Sequence, residues 1–305
     1  PSRGLGDVYK RQNFSKVISP EEYWNSLSKI QYHMDEPLAD PAAVALFFVC
    51  QIASEKVKAV LSGEGADEIF GGYNIYHNPA DMASYFKIPR PIRKAVGAVA
   101  EKLPHKHGIN YLIRGSKDLD ERFIGNAYIF SEKERKDILS IKTSAPDAMA
   151  ITKPFYDKVR DQDQVTQMQY IDLHLWMTGD ILLKADKMSM AHSLELRVPF
   201  LDRKVMELAE QIPVKDRVTE TETKYAMRLA ALQACPPQTA KKKKLGFPVP
   251  IRVWLKEDKY YNIVKDKFTS PQSAQFFHTD KLVQLLDDHR AGKYDYSRKI
   301  WTVFS

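Results

Sequence analysis

Three carboxylates and two closely spaced glycines crowd into one stretch, Leu61-Ser62-Gly63-Glu64-Gly65-Ala66-Asp67-Glu68-Ile69-Phe70-Gly71-Gly72-Tyr73. Gly63 and Gly65 allow the backbone to approach a ligand closely, and Ser62 adds a hydroxyl donor. A helix opening at residue 67 would turn free amide protons toward an anion. Carboxylates beside phosphates make chemical sense when Mg²⁺ bridges them, because magnesium takes one or two carboxylates together with phosphate oxygens. Acids in a first helical turn are also ordinary capping chemistry, so spacing alone leaves both readings of Glu64, Asp67 and Glu68 open.

Three further constellations carry charge. Asp35-Glu36-Pro37-Leu38-Ala39-Asp40-Pro41 reads as a rigid acidic turn, with Asp40 capping a helix whose first position is Pro41. Residues 180–202 set Asp180, Lys184, Asp186, Lys187 and Arg197 among Met and Leu positions too apolar for a solvated face. Charges in such surroundings pair with each other or with a ligand. His192, in the same stretch, reads as a hydrogen-bonded packing histidine. Lys224 and Arg228 fall four apart on one helical face, as an anion-binding pair or as solvated surface.

The elements that must position these groups follow from periodicity. Ser19-Pro20-Glu21-Glu22 signals a helix start, and Tyr23, Leu27 and Ile30 then share one face. The apolar run over 43–52 is too long for most strands and reads as a buried helix. Residues 56–61, Val-rich and closed by Ser62-Gly63, read as a parallel strand entering the glycine loop. No second strand stands out, so the partners of this one are weakly signalled or missing. Beyond 78 the spacing of three and four predicts helices over 131–139, 164–177, 181–191, 204–211, 224–235 and 280–290. The expected fold class is α/β: a remnant of a parallel sheet over 13–77, followed by a mostly helical region over 78–305.

Composition bounds the rest. The 305 residues are 44% hydrophobic and 28% charged, with 46 basic against 39 acidic side chains, a net charge of +7. That composition excludes collagen-like, coiled-coil and disordered classes. No stretch approaches the roughly 20 apolar residues a membrane helix needs. The basic balance suits nucleic acid, a phosphate site or plain solubility. Cys50 and Cys235 lack metal or disulfide spacing and read as reduced thiols of a cytoplasmic protein. Residues 1–12 lack any periodicity, resemble a translated cloning adapter, and are read as a non-native or disordered tail.

SGEGADEIFGGY, the upstream DEPLADP, LLKADKMSMAHSLELRVPFLD, TKYAMR and KLGFPVPIRVWL, in that set, resemble motifs of the synthetase domain of glutamine-dependent asparagine synthetases. The similarity runs from about residue 18 to 305. The resemblance implies an ATP-pyrophosphatase fold of the nucleotide-hydrolase type. It implies activation of the side-chain carboxylate of L-aspartate by ATP and Mg²⁺ as an acyl-adenylate, then displacement of AMP by ammonia. The ammonia would be free or drawn from L-glutamine by an N-terminal glutaminase domain. Position by position, Ser62 and Gly63 match the ATP-contacting pair, with Gly65 in the same loop. Glu64 matches the acid used in forming and aminating the adenylate, Asp67 a Mg²⁺–pyrophosphate ligand, and Lys224 the lysine facing pyrophosphate oxygens. Arg197 and Asp186 fall in the stretch that shapes the substrate pocket.

The departures are equally specific. The family's S-G-G-x-D-S phosphate loop is absent from these 305 residues, as are the glutaminase domain and its cysteine. The expectation is therefore a fragment of an enzyme, itself inactive; a homodimeric parent is compatible with the sequence. β-Lactam synthetases and other amidotransferases of the same fold share these motifs and remain an alternative. A nucleic-acid module built on the lysines at 241–244 is disfavoured, because interleaved aromatics are lacking. No nucleic-acid or membrane partner is expected.

Overall fold

A computed structural model describes residues 12–103, 107–242, 246 and 249–305. The adapter-like tail apart from Gln12, and much of the 241–248 lysine-rich segment, lie outside them. Helix α1, Pro20–Met34, starts as its sequence dictates: the Ser19 hydroxyl accepts from the Glu22 amide, and Glu22 reciprocates to the Ser19 amide, satisfying two free donors. Its C-terminus turns through Asp35 in the left-handed region. Helix α2, Ala42–Ser54, is the apolar run, and buries Val44, Phe47, Phe48 and Cys50.

The strand entering the glycine loop is shorter than its pattern suggests. Strand β1 spans only Ala59–Leu61, and helix α3, Ala66–Phe70, follows across the loop. The missing partner is strand β2, Glu195–Arg197, paired parallel with Ala59 opposite Glu195 and Leu61 opposite Arg197. Two bonds extend the ladder: the Glu195 amide to Lys58 oxygen at 2.9 Å, and the Ser62 amide to Arg197 oxygen at 2.8 Å. Residues Leu194 to Val198 alternate apolar and charged side chains, a period-two signal, but so short a run between a helix and a proline does not stand out by pattern.

The long crossover between the strands is helical. Helices α4 (Arg90–Ala100) and α5 (His107–Ser116) pack so closely at Gly97 that a side chain there would run into Ser116. Helix α6 (Gln164–Ile171) widens into π-helical turns over Asp172–Ile181 before helix α7 (Leu182–Met190) leads down to β2. Such widening is rare and collects at functional sites. After β2, the turn α8 (Val214–Arg217) and helix α9 (Tyr225–Ala234) return to the glycine loop. Helices α10 (Asp258–Phe268), α11 (Thr279–Arg290) and α12 (Ser297–Phe304) close the chain.

The largest core joins the two ends of the sequence. Tyr23 and Trp24 of α1 meet Trp254, Tyr260 and Trp301, with the Trp24 and Tyr260 rings stacked at 4.8 Å and 17°. Aromatic pairs of this kind add about 0.5–1.5 kcal/mol beyond their buried area. The aromatic block anchors α1 and α2, against which α7 packs, and so fixes the helix that precedes β2.

Candidate nucleotide and acyl-activation site

The loop after β1 carries the candidate groups. Gly65 has φ +86°, a conformation that favours glycine, and a side chain there would lie 2.8 Å from Leu201 Cγ. Gly63 faces open space. Helix α3 has only five residues, so its dipole offers little to an anion, and the groups that could meet one are the loop amides and a nearby cation.

That cation is Lys224. Its ammonium stands 2.7 Å from Asp67 Oδ1, joining residues 157 positions apart in the sequence. Three features set the pair. Lys224 itself adopts φ +53°, unusual for a lysine, immediately before α9. Its amide donates to Gly71 oxygen at 3.3 Å. Gly72 lies beneath both side chains: a Cβ there would strike Asp67 and come within 2.6 Å of Lys224 Cε. Glu64 is half-buried on the same loop, and Ser62 is tied by its amide to Arg197 oxygen.

A polar network supports the loop from behind. Buried Glu68 accepts from the Tyr73 hydroxyl, which in turn accepts from Trp176 Nε1 at 3.0 Å. Burial, then the Glu68 carboxylate, holds the Tyr73 phenol well above its ordinary range. Asp172, fully buried, accepts from the Tyr76 hydroxyl at 2.7 Å and from Asn126 through its amide and side chain at 3.0 and 2.7 Å. Burial pushes the Asp172 carboxyl up to about 7 despite these donors.

The other charged constellations meet one another. Lys184 of α7 pairs with Asp40 from the acidic turn and, at 3.3 Å, with Asp180. Burial opposes the Lys184 charge, but the two carboxylates outweigh it and hold its pKa above the ordinary value. Burial also raises Asp180, against the pull of Lys184. Lys187 pairs with Asp35. Asp40 retains the expected turn as well, accepting from the Ala42 amide at 2.9 Å. Asp40 and Asp180 line a cavity of about 360 Å³, walled by Leu38, Ile129, Trp176 and Trp301. Through Trp176 the cavity adjoins the Tyr73–Glu68 network.

The expected site residues therefore divide. Ser62, Gly63, Glu64, Gly65 and Asp67 share one loop, and Lys224 reaches it from α9. Arg197 contributes its backbone oxygen to that loop, while its guanidinium is exposed and bonded to Glu195 at 2.8 Å. Asp186 is exposed on α7. Arg228 does not join Lys224 as an anion pair; it donates to Thr223, Ala240 and Lys242 oxygens and so ties down the following segment. His192 packs its ring 4.3 Å from that of Phe47, and burial lowers its pKa. Tyr73, Trp176, Gln169 and Asp172 escaped pattern reading; only the Gly-Gly-Tyr sequence after α3 marked one of them.

A parallel strand, a glycine loop and a short helix whose Asp67 meets Lys224 make this an α/β protein, consistent with a nucleotide-binding fold. The profile of the family described as asparagine synthase matches residues 5–305, and the chain belongs to that family. It is 47% identical over 293 residues to "Asparagine synthetase [glutamine-hydrolyzing] 1" of Bacillus subtilis, covering 96% of this chain and 46% of that protein. A "Putative asparagine synthetase [glutamine-hydrolyzing]" of Mycobacterium tuberculosis is 42% identical, with 96% and 45% covered. "Amidase chyE" of Penicillium rubens is 26% identical over 204 residues, 60% of this chain and 30% of that protein. The chain thus spans about half the length of the curated relatives it matches first. No helix among the described residues is long and apolar enough to cross a membrane.

Proposed function

We propose that this chain is the synthetase part of an ATP-dependent asparagine synthase. The observation that carries the reading is the Asp67–Lys224 pair at the mouth of the Ser62–Gly65 loop, in a chain of this family. A side-chain carboxylate oxygen of L-aspartate attacks the α-phosphorus of ATP, and the bond to pyrophosphate breaks. Ammonia then attacks the acyl carbon and AMP leaves, giving L-asparagine. The nitrogen comes as ammonia or from L-glutamine through a glutaminase domain outside this chain, as the relatives' names suggest.

Ser62 and Gly63, with Gly65 permitting the turn, approach the nucleotide phosphates through the loop backbone. Lys224 places a compact cation against departing pyrophosphate oxygens. Glu64 receives a proton from the attacking nitrogen. Arg197 and Asp186 are proposed at the margin of the substrate pocket. The donor set suits Mg²⁺: Asp67 offers a hard carboxylate oxygen, and magnesium is ordinarily held by one or two carboxylates plus phosphates. Among the described residues no group of three or more His, Cys, Asp or Glu forms an all-protein cage, which accords with that habit. Bound there by Asp67, Mg²⁺ would neutralise charge on the pyrophosphate.

In a protein restored to its relatives' length, Glu64→Gln or Lys224→Ala is expected to lower asparagine formation by about a hundredfold or more. Wild-type rates in either variant would refute these roles. Without an S-G-G-x-D-S loop, the 305-residue chain alone is expected to give little aspartate-dependent ATP–pyrophosphate exchange. Robust exchange by the purified chain would overturn that expectation.

A further inference from the structure

The two members of the Asp67–Lys224 pair belong to separate elements, a five-residue helix and the end of a hairpin just before α9. Helix α3 has five residues, and its last carbonyls have no partner within the helix. One side chain supplies the partners: Gln169 of α6, buried at 3% exposure, donates through Nε2 to Glu68 oxygen at 2.6 Å and to Ile69 oxygen at 3.0 Å. Its other end is also engaged. Gln169 Oε1 accepts from Arg217 Nη1 at 2.6 Å, and Arg217 Nη2 donates to Thr166 Oγ1 at 2.7 Å.

Arg217 ends turn α8 and leads directly into the hairpin in which Val218 bridges Thr223, the residue before Lys224. The same turn presses on the end of α3: a side chain at Gly71 would lie 2.8 Å from Val218 Cγ2. The carboxamide of Gln169 therefore bonds at one end to the helix carrying Asp67, and at the other to the turn that launches Lys224. We infer that Gln169 and Arg217 are positioning residues, a clamp from α6 that sets the separation and direction of the Asp67–Lys224 pair. The functional weight of this clamp rests on the reading given above; its geometry does not.

The test reads the pair itself. In the 305-residue chain, acetylation of individual lysines by acetic anhydride is followed by peptide mass spectrometry. Gln169→Met keeps the side-chain volume and removes all three hydrogen bonds; Arg217→Lys keeps a cation and loses the fork. Gln169→Met is expected to speed acetylation of Lys224 about tenfold, toward the rate in Asp67→Asn. Arg217→Lys is expected to fall between that and wild type. Lys259 and Lys281, paired with Glu21 and Asp137 elsewhere, should keep their rates. An unchanged Lys224 rate in either folded variant overturns the clamp, and so does a parallel rise at every lysine, which would signify general loosening. Should Gln169→Met fail to fold, Arg217→Lys decides alone: an intermediate rate supports the clamp and a wild-type rate refutes it. Failure of ATP–pyrophosphate exchange leaves this outcome untouched, so the two readings fall separately.

Discussion

Two lysines that the chain places beside carboxylates do different work. Lys184 and Asp180 keep only 6% and 9% of their side chains exposed, with Asp40 at 18%, whereas Lys224 and Asp67 keep 18% and 20%. A buried triad repays the cost of desolvation only while every charge has its partner, so it fixes how α7 meets the acidic turn. A pair with both members part-exposed costs less to break, and its members can be reached by a ligand. The contrast sets a cluster suited to packing against one of similar composition to which chemistry is proposed, and the exposure of the lysine separates them.

The widest separation between them should come from Lys184→Met. Removing the shared cation strands buried Asp180 beside part-buried Asp40, and urea unfolding is expected to register a loss of about 3 kcal/mol. Lys224→Ala should cost no more than about 1 kcal/mol in the same experiment, while abolishing the proposed chemistry. Equal losses, or a reversed order, would break the comparison.

Asp172 sharpens it from a third position. Its folded pKa, near 7, lies above the ordinary carboxyl value, so the folded state binds the extra proton between roughly pH 4 and 7. Stability should therefore be greatest at the acidic side of that window and fall as pH rises through it, by at most about 1.4 kcal/mol per pH unit. Asp172→Asn should flatten this slope. A slope unchanged by the substitution would show that other groups set the pH dependence.

Much of the framework was legible in the sequence. The helix at Ser19-Pro20, the buried run after Pro41, and the strand–loop–helix around Ser62–Phe70 follow from caps, periodicity and glycine placement. The pairing of charges around Lys184 was foreseeable from their apolar setting, though not which partners they would take. Strand β2 does not stand out although Leu194 to Val198 alternate apolar and charged side chains, because so short a run beside a long helical stretch is a weak signal. Arg197 illustrates the same limit: its motif suggests a place in the substrate pocket, while the fold uses its carbonyl on Ser62 and leaves its guanidinium on Glu195.

By itself the sequence determined the local elements and the glycine loop between them, since capping, turn chemistry and hydrophobic spacing act within a few residues. It also determined family membership, which the ordered motifs carry across nearly the whole chain. Tertiary structure alone decided which distant groups meet: Lys224 with Asp67, Lys184 with Asp40, and Gln169 with the end of α3. Those meetings depend on how helices pack on a two-stranded sheet and on how deeply each charge is buried, and neither is written in local spacing.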